Sequence, residues 1–304
     1  MSWNLYSLTF RLESPLHIGY PKILHLVRTR FYVPARSVWG ALTVRLVQCT
    51  RASDYKKAGD FLKLHFRFGY LYLSDGEKLY IPQYTTEGLK YGECRRYEFE
   101  KKFIFSMTTT AINASSISAD EETLHHIEYV NPYTMDGNSP VFLKGLLWVE
   151  SVDGNFHPEE NDFSLEYEGI SLRLSKLLEF LQIGGERKYG FGRMKLERSK
   201  LRLVSESDLA SEGFPGSWRE QNGLVLVEIH RGESVWAHVE YNPNLKMNGE
   251  IEVYTGRDWD TKKGAGRNIA NYGISWLPGS VMEADTTFEL KASGVWCYKQ
   301  GIDN

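Results

Sequence analysis

No two of the three cysteines, Cys49, Cys94 and Cys297, stand at Cys-x-x-Cys spacing, so neither a disulfide framework nor a zinc knuckle can be read from them. So few cysteines suit a reducing compartment. Long apolar runs are missing as well. No window approaches the roughly 20 apolar residues of a membrane span, and the opening MSWNLYSLTFRLESPLHIG alternates polar and apolar residues where a secretion leader would place a basic start and an apolar run. The expectation is a soluble, cytoplasmic protein with no membrane partner. Disorder is not expected, because 42% of the 304 residues are apolar and supply a packed core.

The most informative absence is one of charge. No carboxylate occurs between Glu13 and Asp54, while Lys22, Arg28, Arg30, Arg36, Arg45 and Arg51 fall in that interval, together with His17 and His25. A second basic region, from Gly184 to Arg202, holds Arg187, Lys188, Arg193, Lys195, Arg198, Lys200 and Arg202 against Glu186 and Glu197. The net charge of −3 argues against a generic polyanion binder, but a phosphate chain feels local fields. A solvated charged face is the ordinary explanation of one such cluster. Two of them that coincide with loops call for another.

Hydrophobic spacing gives the order of elements. SLTFRLESPLHIG, Ser7 to Gly19, alternates as a half-buried strand does and ends at a glycine. An extended basic segment follows to Val33. In VPARSVWGALTVRLVQC, Pro34 and Ser37 suit a helix start, and Val38, Ala41, Leu42 and Leu46 fall on one helical face. TTTAINASSISADEETLHHIEYVNP is polar and short of bulky residues through its middle, which predicts a protruding hairpin. PVFLKGLLWVE reads as a strand. EGISLRLSKLLEFLQIGG reads as a helix, with Ile170, Leu174, Leu177, Leu178 and Leu181 at helical spacing and Gly184 at its stop. FGRMKLERSKLRLV alternates again. This order predicts an α+β, ferredoxin-like domain over residues 1–204, with helices on one face of an antiparallel sheet and an inserted hairpin. SESDLASEGFPGSWREQNG then reads as a connector to a β-rich C-terminal subdomain over residues 205–304.

GGERKYGFGRMKLE joins the predicted second helix to the last strand. Gly184, Gly185, Gly190 and Gly192 permit positive φ and close approach of another chain. Successive backbone N–H groups in such a loop can form an anion-binding nest, to which Arg187 and Lys188 add charge. The stretch matches neither GxGxxG nor GxxxxGK[ST], so no dinucleotide or nucleoside triphosphate site of those kinds, and no cofactor, is indicated.

SPLHIG after the first strand, VPARSVWGAL at the first helix, and GGERKYGFGRMKLE before the last strand resemble, in that order, the RAMP superfamily (repeat-associated mysterious proteins) of CRISPR-associated proteins. The segment TTTAINASSISADEETLHHIEYV is similar to one that several members carry before a strand. The resemblance covers residues 1 to about 200. It implies an RNA-recognition-motif-like domain that binds CRISPR guide RNA within a type III-like effector ribonucleoprotein of antiviral defence. Other effector subunits, and target RNA, are the further partners it allows. Carried onto this sequence, Gly184, Gly185, Arg187, Lys188, Gly190, Gly192 and the adjoining Arg193 would contact guide phosphates. Arg36, Ser37 and Trp39 would lie beside them at the first helix, with Arg28 and Arg30 in the basic loop before it. Tyr189 and Phe191 could stack bases, or Phe191 could pack in the core. Residues from about Thr108 to Asn131 would form a thumb-like hairpin against the guide.

Target-cutting backbone subunits of such effectors place an acidic residue in the loop after the first strand, and Gly19 to Val33 contains none. Metal-assisted cleavage there, and a metal site, are therefore not expected. The helix start reads PARS where the family pattern has PGSS. The missing acid and the extra C-terminal unit fit a non-catalytic subunit capping the guide's 5′ handle. Two alternatives stay open. A metal-independent endoribonuclease processing precursor RNA would draw on His17 and His25 beside Tyr20 and Lys22, and a protein-interaction scaffold would use the eight tryptophans and eighteen tyrosines. In the C-terminal part, Lys262, Lys263 and Arg267 could touch RNA.

Overall fold

The computed structural model describes residues 2–113, 115–119, 123–151, 156–159, 162–205, 207–260 and 264–299. Its centre is β1 (Ser2–Leu12). Leu5 to Phe10 are all buried, polar Ser7 and Thr9 included. Alternate strand positions face opposite sides of a sheet, so β1 is covered on both. On one face the Tyr6 hydroxyl donates to the Asp162 carbonyl (3.1 Å). From the other, Trp3 Nε1 reaches the Gly223 carbonyl (2.9 Å) and Ser7 Oγ the Glu212 carboxylate (2.6 Å). The half-buried strand expected here is a fully buried one because the C-terminal half lies over its second face.

Pro34 holds an extended conformation in front of α1 (Ala35–Thr50), as its fixed φ favours, and Val38, Ala41, Leu42 and Leu46 are buried along one side. The side chain of Asp54 caps α2 (Tyr55–His65) by accepting from the N–H groups of Lys56 and Lys57. Trp39 Nε1 donates to the Gly59 carbonyl (2.9 Å) and so fastens α1 to α2. The chain returns through β2 (Leu71–Ser74), reaches α3 (Arg96–Phe103), and then forms the predicted hairpin from β3 (Ile104–Thr109) and β4 (His125–Val130), paired antiparallel. Leu26–Val27 adds to β4 in parallel.

β5 (Phe142–Ser151) pairs antiparallel with the whole length of β1, from Ser2 opposite Ser151 to Arg11 opposite Phe142. β6 (Asp162–Tyr167) and the strand Ile170–Arg173 precede α4 (Leu174–Leu178), which is followed by β7 (Phe180–Gln182) and β8 (Arg193–Leu196). Across the main sheet the order is β7-β8-β1-β5-β2, ending on Tyr32–Val33, with antiparallel neighbours throughout.

The long helix expected over 170–183 is a correction. Only Leu174–Leu178 is helical, with Leu174, Leu177 and Leu178 fully buried, while Ile170–Arg173 pairs with β6 and Phe180–Gln182 with β8. Ile170 and Phe180 are 38% and 45% exposed, so they carry no helical core face. Strand partners on both sides outweighed a helical spacing that a short apolar run fits equally well.

After β9 (Arg202–Val204) the strands build a second, seven-stranded sheet from β10 (Ser217–Gln221), β11 (Leu224–Ile229), β12 (Val239–Glu240), β13 (Ile251–Asp260), β14 (Gly264–Trp276), β15 (Thr286–Leu290) and β16 (Trp296–Tyr298). Its order is β10-β11-β15-β16-β12-β14-β13. One continuous apolar cluster serves both sheets. Trp236, in the segment before β12, stacks parallel on Trp148 of β5 (centroids 6.2 Å) and meets Trp296 edge-on at 4.6 Å. No helix among the described residues is long and apolar enough to cross a membrane.

Candidate nucleic-acid interface

The glycine-rich loop runs from Ile183 to Gly192 between β7 and β8 and lies against the segment that follows β1. Gly185 N–H donates to the His17 carbonyl (2.8 Å), Gly192 N–H to the Pro15 carbonyl (2.7 Å), and Arg193 N–H to Ser14 Oγ (2.9 Å). Gly184 and Gly192 have φ of 84° and 76°, and a Cβ at either would collide with a backbone carbonyl, of His17 and Ile183 respectively. Two glycines therefore exist for close approach as well as for positive φ.

That seating changes the role expected of the backbone. Besides Gly185 and Gly192, Gly190 N–H donates to the Arg187 carbonyl (3.0 Å) and Phe191 N–H points to the Glu186 carbonyl (3.4 Å). These amides hold the loop together, so they do not form the anion-binding nest that the glycine pattern suggested. What the loop offers outward is side chains. Arg187, Lys188 and Arg193 are exposed, and Tyr189 is 81% exposed. Phe191 turns the other way. At 7% exposure it meets Tyr129 of the hairpin edge-on at 5.7 Å, packed between the loop and the hairpin. The loop and the hairpin are thereby one packed unit.

His17 lies under the glycines. It is 4% exposed, and its Nδ1 is 2.8 Å from the Glu128 carbonyl, a bond in which the ring nitrogen donates. That geometry makes it a strut between the loop and the hairpin. His25 is exposed. His125 and His126 each bond a threonine across the hairpin, Thr109 and Thr108. Among the described residues no cluster of His, Cys, Asp and Glu is arranged to hold a metal ion.

The acid-free basic stretch is less available than its sequence suggests. Arg36 is buried and spans to the β13–β14 hairpin, where it donates to the Tyr272 hydroxyl, the Arg257 carbonyl and Asp258 Oδ1 (2.6 Å for the last). Ser37 stands half-buried beside it. Arg30 Nη2 pairs with Glu252 Oε1 (2.8 Å) and its Nη1 donates to the Tyr32 hydroxyl (3.0 Å). Burial works against the Arg30 charge, but Tyr32 and Glu252 outweigh it and hold the guanidinium above its usual range. Arg28 Nε lies 3.9 Å from Glu128 and over the ring of Tyr20. Arg30 and Arg36 are clamps between the two sheets, Arg28 and Arg45 are partly exposed, and Lys22 and Arg51 are exposed. Arg267 is exposed, whereas Lys262 and Lys263 lie outside the described residues.

The partners of those arginines went unseen in the sequence. Glu252 receives Arg30 and also His238 Nε2 (2.7 Å), while His238 Nδ1 is 2.7 Å from the Tyr70 hydroxyl. The only signal was indirect. Buried cations in a stretch without carboxylates must find them elsewhere in the chain.

The sequence model for the RAMP superfamily matches residues 9–195. The chain belongs to the RAMP superfamily. The match runs from β1 through β8 and so contains the loop, the hairpin and α1. Among solved structures, a chain of the type III-B Cmr-beta complex, determined by cryo-EM bound to cognate target RNA and AMPPnP, is similar at a TM-score of 0.53 and 12% identity. The alignment covers 91% of this RAMP chain and 86% of that one. A chain of the same complex bound to cognate target RNA alone aligns at a TM-score of 0.50, with the same identity and coverage. At that identity the likeness is one of fold. Among curated proteins no match was found.

Proposed function

We propose that this RAMP chain is a guide-RNA-binding, non-catalytic subunit of a type III-like CRISPR effector ribonucleoprotein, assembled with other effector subunits and acting in the cytoplasm. Its N-terminal unit is read as a ferredoxin-like, RNA-recognition-motif-like domain, since β1, α1, β2, β5, α4 and β8 alternate as β-α-β-β-α-β around one antiparallel sheet. The observation that carries the RNA reading is the loop surface. Arg187, Lys188 and Arg193 stand exposed around an exposed Tyr189, on a loop fixed from beneath by Pro15 and His17. Cations that track phosphates beside an aromatic ring that stacks a base are what a single strand needs. The fold likeness to chains of complexes solved with target RNA supports the effector setting.

Purified wild-type chain and the Arg187→Ala/Lys188→Ala variant should be titrated with a single-stranded RNA at two salt concentrations without divalent metal. The variant is expected to bind about tenfold more weakly. The slope of log affinity against log salt should become shallower by about 1.4, two phosphate contacts at roughly 0.7 each. Tyr189→Ala should weaken binding with little change in salt slope, because stacking is not a counterion effect. Equal affinity of wild type and the double variant at both salts would remove the loop from the interface.

A further inference from the structure

A second basic site lies at the end of β8 away from the loop. A cleft of about 450 Å³ opens between α4, the strand Ile170–Arg173 and β8, and its walls carry Arg173, Lys176, Lys195 and Arg198. Among the described residues its carboxylates are Glu179, paired with Lys176 (2.5 Å), and Asp162 beneath, which Arg198 (2.8 Å) and Arg173 (3.7 Å) share, while Lys195 has a ring and no carboxylate against it. The half-buried Leu172 supplies an apolar surface between them, while Leu196 is buried beneath.

The cations are held in place from below. Asp162 is buried and accepts from the N–H groups of Phe163 (2.8 Å) and Ser175 (3.0 Å), from Ser175 Oγ (2.8 Å), and from Arg198 Nη2 (2.8 Å). Burial works against its charge, but these donors outweigh it and keep the carboxyl ionised below its ordinary range. Arg198 Nη1 donates to Ser175 Oγ, so the guanidinium is gripped along one edge while the side chain stays more than half exposed. Lys195 sits on β8, which is flanked by β7 and β1, with Phe180 opposite it on one side and Arg11 on the other. Its ammonium rests over the Phe180 ring at 5.4 Å. A site on a strand with neighbours on both edges is more rigid than one on a loop.

We propose that this cleft is a nucleotide-binding site, in which the cations take phosphate and the apolar surface at Leu172 takes the face of the base. It is distinct from the glycine loop and does not depend on that loop binding RNA. Its size falls within the few hundred Å³ that small-molecule clefts occupy, and the pairing of an apolar surface with a cationic rim matches the two ends of a nucleotide. A phosphate needs only displayed charge and donors, and Lys195 with Arg198 provides both from fixed backbone. Glu179 at the rim opposes an anion, so its removal should help. The same chemistry could come from a free nucleotide or from one residue of an RNA strand.

Two probes separate those sources: ATP without divalent metal, and a short single-stranded RNA, each titrated into the full chain. Lys195→Glu is expected to weaken whichever probe uses the cleft by tenfold or more, and Glu179→Gln to tighten it several-fold. Displacement of ATP by inorganic tripolyphosphate marks the free-nucleotide source, and a Lys195 effect on RNA alone marks the strand. The Arg187→Ala/Lys188→Ala variant should bind ATP as wild type does, so loss of the loop reading and loss of this one register separately. Lys195 is exposed, and an unchanged thermal melt of Lys195→Glu would confirm that the fold is intact. Should neither probe bind, or should both bind Lys195→Glu and wild type equally, the proposal is overturned.

Discussion

A Trp236→Ala chain is expected to be less stable by about 3–5 kcal/mol, the range for removing a buried tryptophan. No part of Trp236 reaches solvent. Its ring is enclosed by Trp148 of the first sheet, Trp296 of the second and Phe214 of the connecting segment, at centroid distances of 6.2, 4.6 and 5.1 Å. Nε1 donates to the Pro215 carbonyl (3.1 Å), and the carbonyl of Trp236 accepts from the Tyr72 hydroxyl (2.7 Å). The cavity would open between the sheets, where neighbouring rings from three segments cannot all relax inward together. Urea unfolding followed by fluorescence measures the loss, and the near-UV dichroism of the stacked Trp148 and Trp236 pair should fall with it. Ile274→Ala, at a half-exposed position on β14, is the control and should stay within about 0.5 kcal/mol of wild type. A loss below 1 kcal/mol for Trp236→Ala would mean that the two sheets are not held through this ring.

The sequence disclosed those features whose cause is local. Val38, Ala41, Leu42 and Leu46 are spaced for one helical face, and α1 buries all four. Arg187 and Lys188 sit in a glycine loop too short to bury them and Arg193 follows it at the start of β8, and all three are displayed. Features with distant causes stayed hidden. Arg36 looks like a free cation at a helix start until Asp258, more than two hundred residues on, is brought to it. Ile170 and Leu181 fit a helical period, yet strands β6 and β8 claim their backbones. The alternation of β1 suggested a solvated face, and only the second sheet removes it. The two basic regions, equal in sequence, therefore divide in space. In the earlier one Arg28, Arg30 and Arg36 are spent on Glu128, Glu252 and Asp258 while Lys22 and Arg51 stay exposed, and in the later one every cation is at the surface, with Arg198 and Arg202 also paired to Asp162 and Glu212.

The clamp built from the earlier region should make the fold sensitive to acid. His238 is fully buried, with Nε2–H donating to Glu252 and Nδ1 accepting from Tyr70, so the neutral imidazole satisfies both partners. Burial, followed by the charge of Arg30, lowers its pKa to about 4, although the hydrogen bond to Glu252 pulls the other way. An unfolded histidine titrates near 6.5. Between those values the unfolded chain takes up a proton that the folded chain refuses, so protonation favours unfolding. The contribution is complete above about pH 6.5 and is lost as the pH falls to about 4, by at most about 3 kcal/mol. Glu252 acts in the same direction lower down. Burial opposes its charge, but His238 and Arg30 hold the carboxyl below its ordinary value, and that stabilisation disappears as the carboxyl is protonated. Urea midpoints measured from pH 7.5 to pH 4 should therefore decline, and in His238→Gln the decline should be shallower even if the variant is weaker throughout. A wild-type midpoint that stays level over that range would show that the folded and unfolded chains take up the same number of protons, and would overturn the lowered pKa of the buried imidazole.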